Sequence, residues 1–217
     1  MTFYTNKKIL HLSTVILTAS FVFFFSCKPS EPPLPYQYES EPEFAWGYAE
    51  FYGDYYNHGS YRIPNNVITL NLFTDNFFVR NDSLLGLGQY LIIEDVFIMP
   101  GDTLLPAGTY NLDENGEPFT FFGGKIFEDN RQKIPSGAYI YFIESDPSDS
   151  KTALVTGGSM TISIENDSIY NIACDFTLDE KTELKGTFRN VLYHFDRTAE
   201  APAGMPRKKI FPMKNGY

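Results

Sequence analysis

Residues 159–178, SMTISIENDSIYNIACDFTL, alternate apolar and polar side chains on both sides of the turn at 165–168. Successive side chains of a strand point to opposite faces, so this pattern predicts an antiparallel hairpin with one buried face. The positions assigned to that buried face are Met160, Ile162, Ile164, Tyr170, Ile172, Cys174, Phe176 and Leu178. The hairpin makes an all-β fold the expectation.

The pattern continues after the hairpin. A second turn at 179–182 leads into Leu184, Gly186 and Phe188, and the apolar positions then shift towards Val191, Tyr193 and Phe195, as a β-bulge would cause. A third strand of an antiparallel meander is therefore expected here.

The rest of the chain shows short strand-like runs separated by turn clusters, and no long segment has a helical period. These runs are residues 44–52, 66–73, 90–98, 108–112, 120–122 and 138–143. About nine strands in all predict an antiparallel β-sandwich. A lipocalin-like β-barrel is the alternative, because an up-and-down meander can close and enclose a cavity.

The first 26 residues have the composition of a secretion signal. Lys7 and Lys8 precede an almost unbroken apolar run at 9–25, which ends at Ser26 and Cys27. We expect a signal peptide (1–26), a tether rich in Pro and Glu (27–42), an all-β domain (43–197) and a disordered tail (198–217). The alternative for the apolar run is an uncleaved transmembrane anchor.

The residues Phe24, Phe25, Ser26 and Cys27 resemble the lipobox of bacterial lipoproteins, in the loose form seen in the Bacteroidetes. The resemblance implies a diacylglyceryl group on Cys27 and palmitate among its acyl chains, which would anchor the chain to a membrane. Lys28 stands where an inner-membrane retention signal would have aspartate, so an outer-membrane location is expected, in either leaflet.

The mature segment also resembles small Bacteroidetes lipoproteins of uncharacterised function. The resemblance is carried by LPAGTY at 105–110, GGS at 157–159, YNI at 170–172 and GTF at 186–188. It spans most of the mature chain and implies a fold and a cellular location, not an activity.

The net charge bears on possible partners, and the cysteine content bears on disulfide bonds. The formal net charge of −10 becomes −12 when Lys7 and Lys8 leave with the signal (−10 − 2), which disfavours nucleic-acid binding. Cys27 and Cys174 are the two cysteines, and lipidation of the first leaves no partner for a disulfide. Cys174 shares an apolar face and is expected to be a buried, inert thiol.

No motif points to catalysis, a metal or a cofactor. His58 lies in a loop and His194 in a late strand, neither with metal-ligand spacing, and both are expected to face solvent. Two acidic groups could bind calcium, but solvated turns account for them better. These groups are Glu94 with Asp95, and Asp175 with Asp179 and Glu180.

An aromatic row is the strongest candidate for a site. Trp46, Tyr48 and Tyr52 share one strand face, with small residues on the other. Flat aromatic rows beside carboxylates and amides are used to bind sugars, since rings stack on sugar C–H faces. The other interpretation is that the row is core, because burial of apolar area needs the large face.

These features favour a non-enzymatic outer-membrane lipoprotein with a binding or structural role, whose partner is a glycan or an envelope protein. The alternatives are a lipocalin-like carrier of a small apolar ligand, a secreted-protease inhibitor and, last, a hydrolase. A closed cavity lined by Phe and Tyr would favour the carrier. An ordered loop protruding at 128–137 or 144–151 would favour the inhibitor.

Overall fold

Residues 37–58, 61–129, 132–145, 150–179 and 181–199 are described by a computed structural model of the chain. The predicted signal peptide, Cys27, residues 28–36 of the predicted tether and residues 200–217 of the predicted tail lie outside these ranges. Within the described ranges, no helix is long and apolar enough to cross a membrane.

The fold is all-β, as predicted, and the described residues form sixteen strands. They are β1 (Glu43–Phe44), β2 (Trp46–Phe51), β3 (Asn66–Phe73), β4 (Phe77–Arg80), β5 (Ser83–Gly86), β6 (Gly88–Ile98), β7 (Gly108–Leu112), β8 (Thr120–Phe121), β9 (Lys125–Asp129), β10 (Gln132–Ser136), β11 (Ala138–Ile143), β12 (Lys151–Glu165), β13 (Ile169–Leu178), β14 (Glu183–Leu184), β15 (Thr187–Val191) and β16 (Tyr193–Asp196).

Twelve of these strands belong to one sheet, in which β6, β11, β12, β7 and β8 pair in a closed ring. The hairpins β4–β5 and β9–β10 are separate two-stranded sheets. The first two strands of the chain pair in parallel with the last two, β1 with β15 and β2 with β16. The nine-strand sandwich is therefore not confirmed, and the barrel that was its alternative is compatible with this pairing.

The hairpin predicted at 159–178 is confirmed. Strands β12 and β13 pair in antiparallel register, with Met160 opposite Cys174 and both side chains buried. Three residues connect the paired positions Glu165 and Ile169; of these, Asn166 and Asp167 adopt left-handed φ angles of 51° and 60°, and the Ser168 amide donates to the Glu165 carbonyl at 3.2 Å. Of the predicted core positions, Ile164 is the exception, since its side chain is exposed.

Strands β2, β3, β6 and β11 bury apolar side chains on both faces. One face joins a large core, to which these strands contribute Ala49, Ile68, Leu70, Leu72, Leu91, Ile93, Val96, Ile98, Ala138 and Ile140. The other face forms a second aromatic cluster, which consists of Tyr48, Phe73, Phe77, Leu84, Tyr90, Ile92, Tyr139 and Ile143. The β4–β5 hairpin supplies Phe77 and Leu84 and so covers part of this second face.

The predicted shift of the apolar face after Phe188 is wrong. Leu192 is buried, whereas Tyr193 and Phe195 are exposed. Strand β16 pairs in parallel with β2, and there the Phe195 ring meets the edge of Tyr48 with a centroid distance of 5.8 Å. The two aromatic residues therefore lie on the side of the second aromatic cluster, while Leu192 continues the large core.

Candidate binding site

The predicted aromatic row does share one face, but it is not a solvent-facing row. The Trp46 ring is half-buried and stacks on Phe73, with centroids 4.0 Å apart and an interplanar angle of 11°. Its indole N–H donates to the carbonyl of Phe77 at 2.9 Å. Tyr48 and Tyr52 are 3% and 5% exposed, so both are buried, and Tyr48 belongs to the second aromatic cluster.

A cleft of about 240 Å³ lies next to this cluster, on the same face of the sheet. It is lined by Glu50, Tyr52, Tyr55, Tyr56, Thr69, Asn71, Ile92, Glu94, Asp95 and Ser136. These residues come from β2, β3, β6, the end of β10 and the loop that follows β2. The fold thus gathers three carboxylates, an amide and three tyrosines around one small cavity.

Glu50 is a buried carboxylate in the cleft, 3% exposed. It accepts hydrogen bonds from the Tyr52 hydroxyl at 3.2 Å and the Asn71 amide at 3.3 Å, and its Oε1 lies 3.6 Å from Nε of Arg197. The side-chain oxygen of Asn71, Oδ1, in turn accepts a hydrogen bond from the Tyr90 hydroxyl at 2.6 Å. Burial of a charge is tolerated when such partners compensate it, and they also fix the orientation of the carboxylate.

Glu94 and Asp95 both line the cleft because of a β-bulge. At Thr69, one residue of β3 faces these two residues of β6. Neighbouring strand residues normally point to opposite faces, but a bulge can re-aim one of them. The Thr69 hydroxyl donates to the Glu94 carbonyl at 2.7 Å and so ties the bulge to β3.

Three donors hold the Glu94 side chain, one at the end of β10, one at the junction of β10 and β11, and one on β11. The Glu94 oxygens accept from the Ser136 hydroxyl at 2.8 Å, the Gly137 amide at 3.0 Å and the Tyr139 hydroxyl at 3.0 Å. Burial, and then the nearby Glu94 charge, raise the pKa of Tyr139 far above its usual range. The Tyr139 hydroxyl therefore stays protonated and donates to Glu94 at any physiological pH.

The loop after β2 forms one wall of the cleft. The Tyr55 ring meets Tyr52 and Tyr56 edge-on, with centroid distances of 6.2 Å and 5.0 Å. The Tyr56 hydroxyl donates to Asp95 at 2.9 Å, and its carbonyl accepts from the amide of Ile63 at 3.1 Å. Both Tyr55 and Tyr56 are half-buried, so the loop presents aromatic edges and faces to the cavity.

The cleft can offer a ligand two kinds of contact. Carboxylate oxygens accept hydrogen bonds from hydroxyl or amine groups, and the tyrosine rings provide apolar faces for packing. The charges of Glu50, Glu94 and Asp95 oppose the entry of an anion into a partly desolvated cavity. The chemistry therefore suits a ligand that is rich in hydrogen-bond donors and carries no negative charge.

Of the two acidic groups, Glu94 and Asp95 line the cleft, whereas Asp175 and Asp179 do not. In the part of the chain that the structure describes, no group of three or more His, Cys, Asp or Glu side chains is placed to hold a metal. Asp179 accepts from the backbone amide of Leu154 at 3.3 Å, and Glu180 lies outside the described residues.

His58 and His194 differ in their surroundings. His58 is exposed, as expected, but His194 is half-buried, so its predicted surface position is wrong. Its Nε2 accepts from the Leu105 amide at 3.4 Å and its Nδ1 lies 3.1 Å from the Leu192 carbonyl. Burial lowers the pKa of His194, although the Leu192 contact opposes this shift. The reason for the error is that His194 faces inwards on β16, next to Leu192.

The sequence identified some of the residues that line the cleft and missed others. Tyr52 was selected as a ligand-binding residue, and Glu94 with Asp95 was considered only as a possible calcium site that a solvated turn explained better. Asn71 was missed, although an amide in segment 67–73, where Thr69 is the one other polar residue, is itself a signal for a buried polar role. No protein-family model, curated protein or solved structure matches the chain. The function must therefore be argued from the cleft itself.

Proposed function

We propose that this chain is a non-enzymatic, lipid-anchored protein of the outer membrane that binds a neutral glycan in the cleft. The observation that carries the proposal is the joint lining of the cavity by tyrosine rings and hydrogen-bonding side chains. A sugar ring has an apolar C–H face that packs on an aromatic ring and hydroxyls that donate to carboxylates. The half-buried rings of Tyr55 and Tyr56 supply the packing surfaces, and Asp95 and Glu94 supply acceptors.

A binding role is supported over a catalytic one by how the carboxylates are used. Glu94 accepts from three donors of the protein, and Glu50 accepts from Tyr52 and Asn71 beside Arg197. A general acid or base needs a pKa near the working pH and access to the substrate proton. Groups already fixed by several protein donors are better suited to hold a ligand than to exchange protons with it.

The lipocalin-like alternative receives less support. A carrier of an apolar molecule needs a cavity lined mainly by hydrophobic side chains. Of the residues that line the cleft, Ile92 is the aliphatic one, and the others are tyrosines or polar residues.

The test of the glycan proposal is a binding array. We would print neutral β-1,4-linked oligosaccharides of glucose, mannose, xylose and N-acetylglucosamine, one to four residues long, beside galacturonic acid oligosaccharides of equal length. The mature protein in detergent should retain at least one neutral series and none of the acidic one, because the carboxylates repel anions. Retention of the acidic series alone, or of nothing, would contradict the proposal.

The anchor is tested separately from the ligand. Cys27 should incorporate labelled palmitate in cells that express the whole chain, and Cys27→Ala should not, because the acyl chains are attached at this cysteine. Cys174→Ala is the control and should label as the wild type does. Equal labelling of wild type and Cys27→Ala would remove the lipoprotein assignment without bearing on the cleft.

A second candidate function is inhibition of a secreted protease. The β9–β10 hairpin lies outside the large sheet and carries Ile126, Phe127 and Ile134 as exposed side chains. An exposed aromatic side chain on such a hairpin could enter the hydrophobic specificity pocket of a chymotrypsin-like enzyme. Full chymotrypsin activity in the presence of excess protein would remove this candidate.

A further inference from the structure

A second cavity of about 120 Å³ adjoins the glycan cleft. Tyr56, Asp95 and Ser136 line both cavities. The Tyr56 side chain, held by its hydrogen bond to Asp95, therefore forms a shared wall. A ligand long enough to pass this wall can occupy both spaces.

We infer, on the basis of the proposed function, that the ligand is an oligosaccharide that spans Tyr56, with one sugar in the cleft and the next against Phe127. The cleft of about 240 Å³ has room for a single pyranose ring, so a longer glycan must continue outside it. The neighbouring cavity lies where that continuation would begin.

The second cavity has the chemistry of a stacking subsite. Its walls include Tyr61 and Phe127, which are 64% and 59% exposed, together with the half-buried ring of Phe122. The Tyr56 ring connects the two sides, with its centroid 5.1 Å from that of Tyr61 and 5.9 Å from that of Phe122. Exposed rings gain most from a partner that covers them with apolar C–H groups while its hydroxyls remain in water.

Lys125 adds to this subsite a cationic side chain, which the lining of the cleft does not include. Its ammonium group lies 6.0 Å from the centroid of Phe122 and forms an ion pair with Glu114. The two subsites share the Asp95 carboxylate; the cleft adds Glu50 and Glu94 as acceptors, and the second subsite adds exposed rings and the Lys125 ammonium as a donor. The order of these groups predicts binding of an extended neutral chain rather than of two separate monosaccharides.

The β9–β10 hairpin provides a matched pair of variants. Phe127 lines the second cavity, whereas Ile126, the preceding strand residue, is 43% exposed and does not line it. Adjacent strand side chains point to opposite faces, so the two substitutions alter opposite sides of one hairpin. Phe127→Ala tests the subsite, and Ile126→Ala controls for loss of an exposed apolar side chain.

The experiment is calorimetric titration of the mature protein with the neutral series retained on the array, from one to four residues. The wild type and Ile126→Ala should bind the disaccharide or the trisaccharide roughly tenfold more tightly than the monosaccharide. Phe127→Ala should bind the monosaccharide as the wild type does and lose this gain. Thermal unfolding of all three proteins shows whether the variants are folded.

The outcomes separate this inference from the function on which it rests. Equal affinity for one and four residues, or an unchanged gain in Phe127→Ala, would overturn the second subsite and leave the glycan cleft standing. Absence of any retained neutral series on the array would remove the cleft function, and the second subsite with it.

Discussion

The Cys174 thiol is buried on the inner face of β13, where it faces Met160 of β12. Burial raises its pKa to about 12, because a thiolate would be desolvated there. Since the thiolate is the reactive form, we expect Cys174 to react with a thiol reagent only as fast as the domain opens. Modification should be slow in buffer and immediate in denaturant, and fast modification of the folded protein would contradict the buried position.

Trp46 packs on Phe73 and donates a hydrogen bond to the Phe77 carbonyl, so it joins β2 to the β4–β5 hairpin. Trp46→Ala should lower the free energy of unfolding by about 3 kcal/mol, the lower end for loss of a large aromatic side chain, because the ring is half-buried. Trp46→Phe keeps the stacking and loses the hydrogen bond, at a cost of about 1 kcal/mol. Urea unfolding measures both, and a wild-type midpoint for Trp46→Ala would show that the ring contributes nothing to the fold.

At the scale of elements, the junction of β10 and β11 depends on Gly137. Its φ is +79°, and a Cβ there would lie 2.1 Å from the Gly123 carbonyl oxygen. Gly137→Ala should therefore cost about 2 kcal/mol or more, since both the backbone conformation and the contact are strained. It should also weaken glycan binding, because the Gly137 amide holds Glu94 at 3.0 Å.

Gly157→Ala is the control for Gly137→Ala. At Gly157 the nearest atom to an added Cβ is the Thr177 side chain at 3.7 Å, which is an ordinary contact. Its effect on the free energy of unfolding should stay within about 0.5 kcal/mol. Equal stability of both variants, measured by urea unfolding, would show that the junction tolerates a side chain.

The strands differ in how well they could be predicted from the sequence. The β12–β13 hairpin was predictable because alternation and the turn at Asn166 and Asp167 are local signals. Strands β4, β5, β9 and β10 were missed, since their exposed side chains obscure the alternation of apolar and polar residues. The cleft could not be assembled from sequence, because Asn71 and Glu94 meet only through the register of β3 with β6 and a bulge within it.

At the scale of the whole molecule, buried tyrosines make the fold sensitive to alkali. Burial is the largest cause of the raised pKa values of Tyr48, Tyr90 and Tyr139, all at most 3% exposed. In the unfolded chain a tyrosine loses its proton near pH 10, whereas these three keep theirs in the folded state. The unfolded state therefore binds fewer protons above about pH 10, and stability must fall there as the pH rises.

The expected size of this effect is about 1.4 kcal/mol per pH unit for each tyrosine that stays protonated in the folded state. Urea unfolding between pH 8 and about pH 11 measures it, and tyrosinate absorbance follows the ionisation. Below about pH 9 these tyrosines should have little effect on the urea concentration at half-unfolding. Above about pH 10 this midpoint should fall steeply. A midpoint that is independent of pH over this range would show that these hydroxyls ionise in the folded protein.

If the cleft beside Tyr55 holds the glycan, a Tyr55→Ala protein must bind that glycan more weakly than the wild type does. Tyr193→Ala is the matched control, since Tyr193 is an exposed tyrosine that does not line the cleft. Calorimetric titration with the retained neutral oligosaccharide should show at least roughly tenfold weaker binding for Tyr55→Ala and no change for Tyr193→Ala, with both proteins folded. Wild-type affinity in folded Tyr55→Ala would show that the glycan does not bind in this cleft.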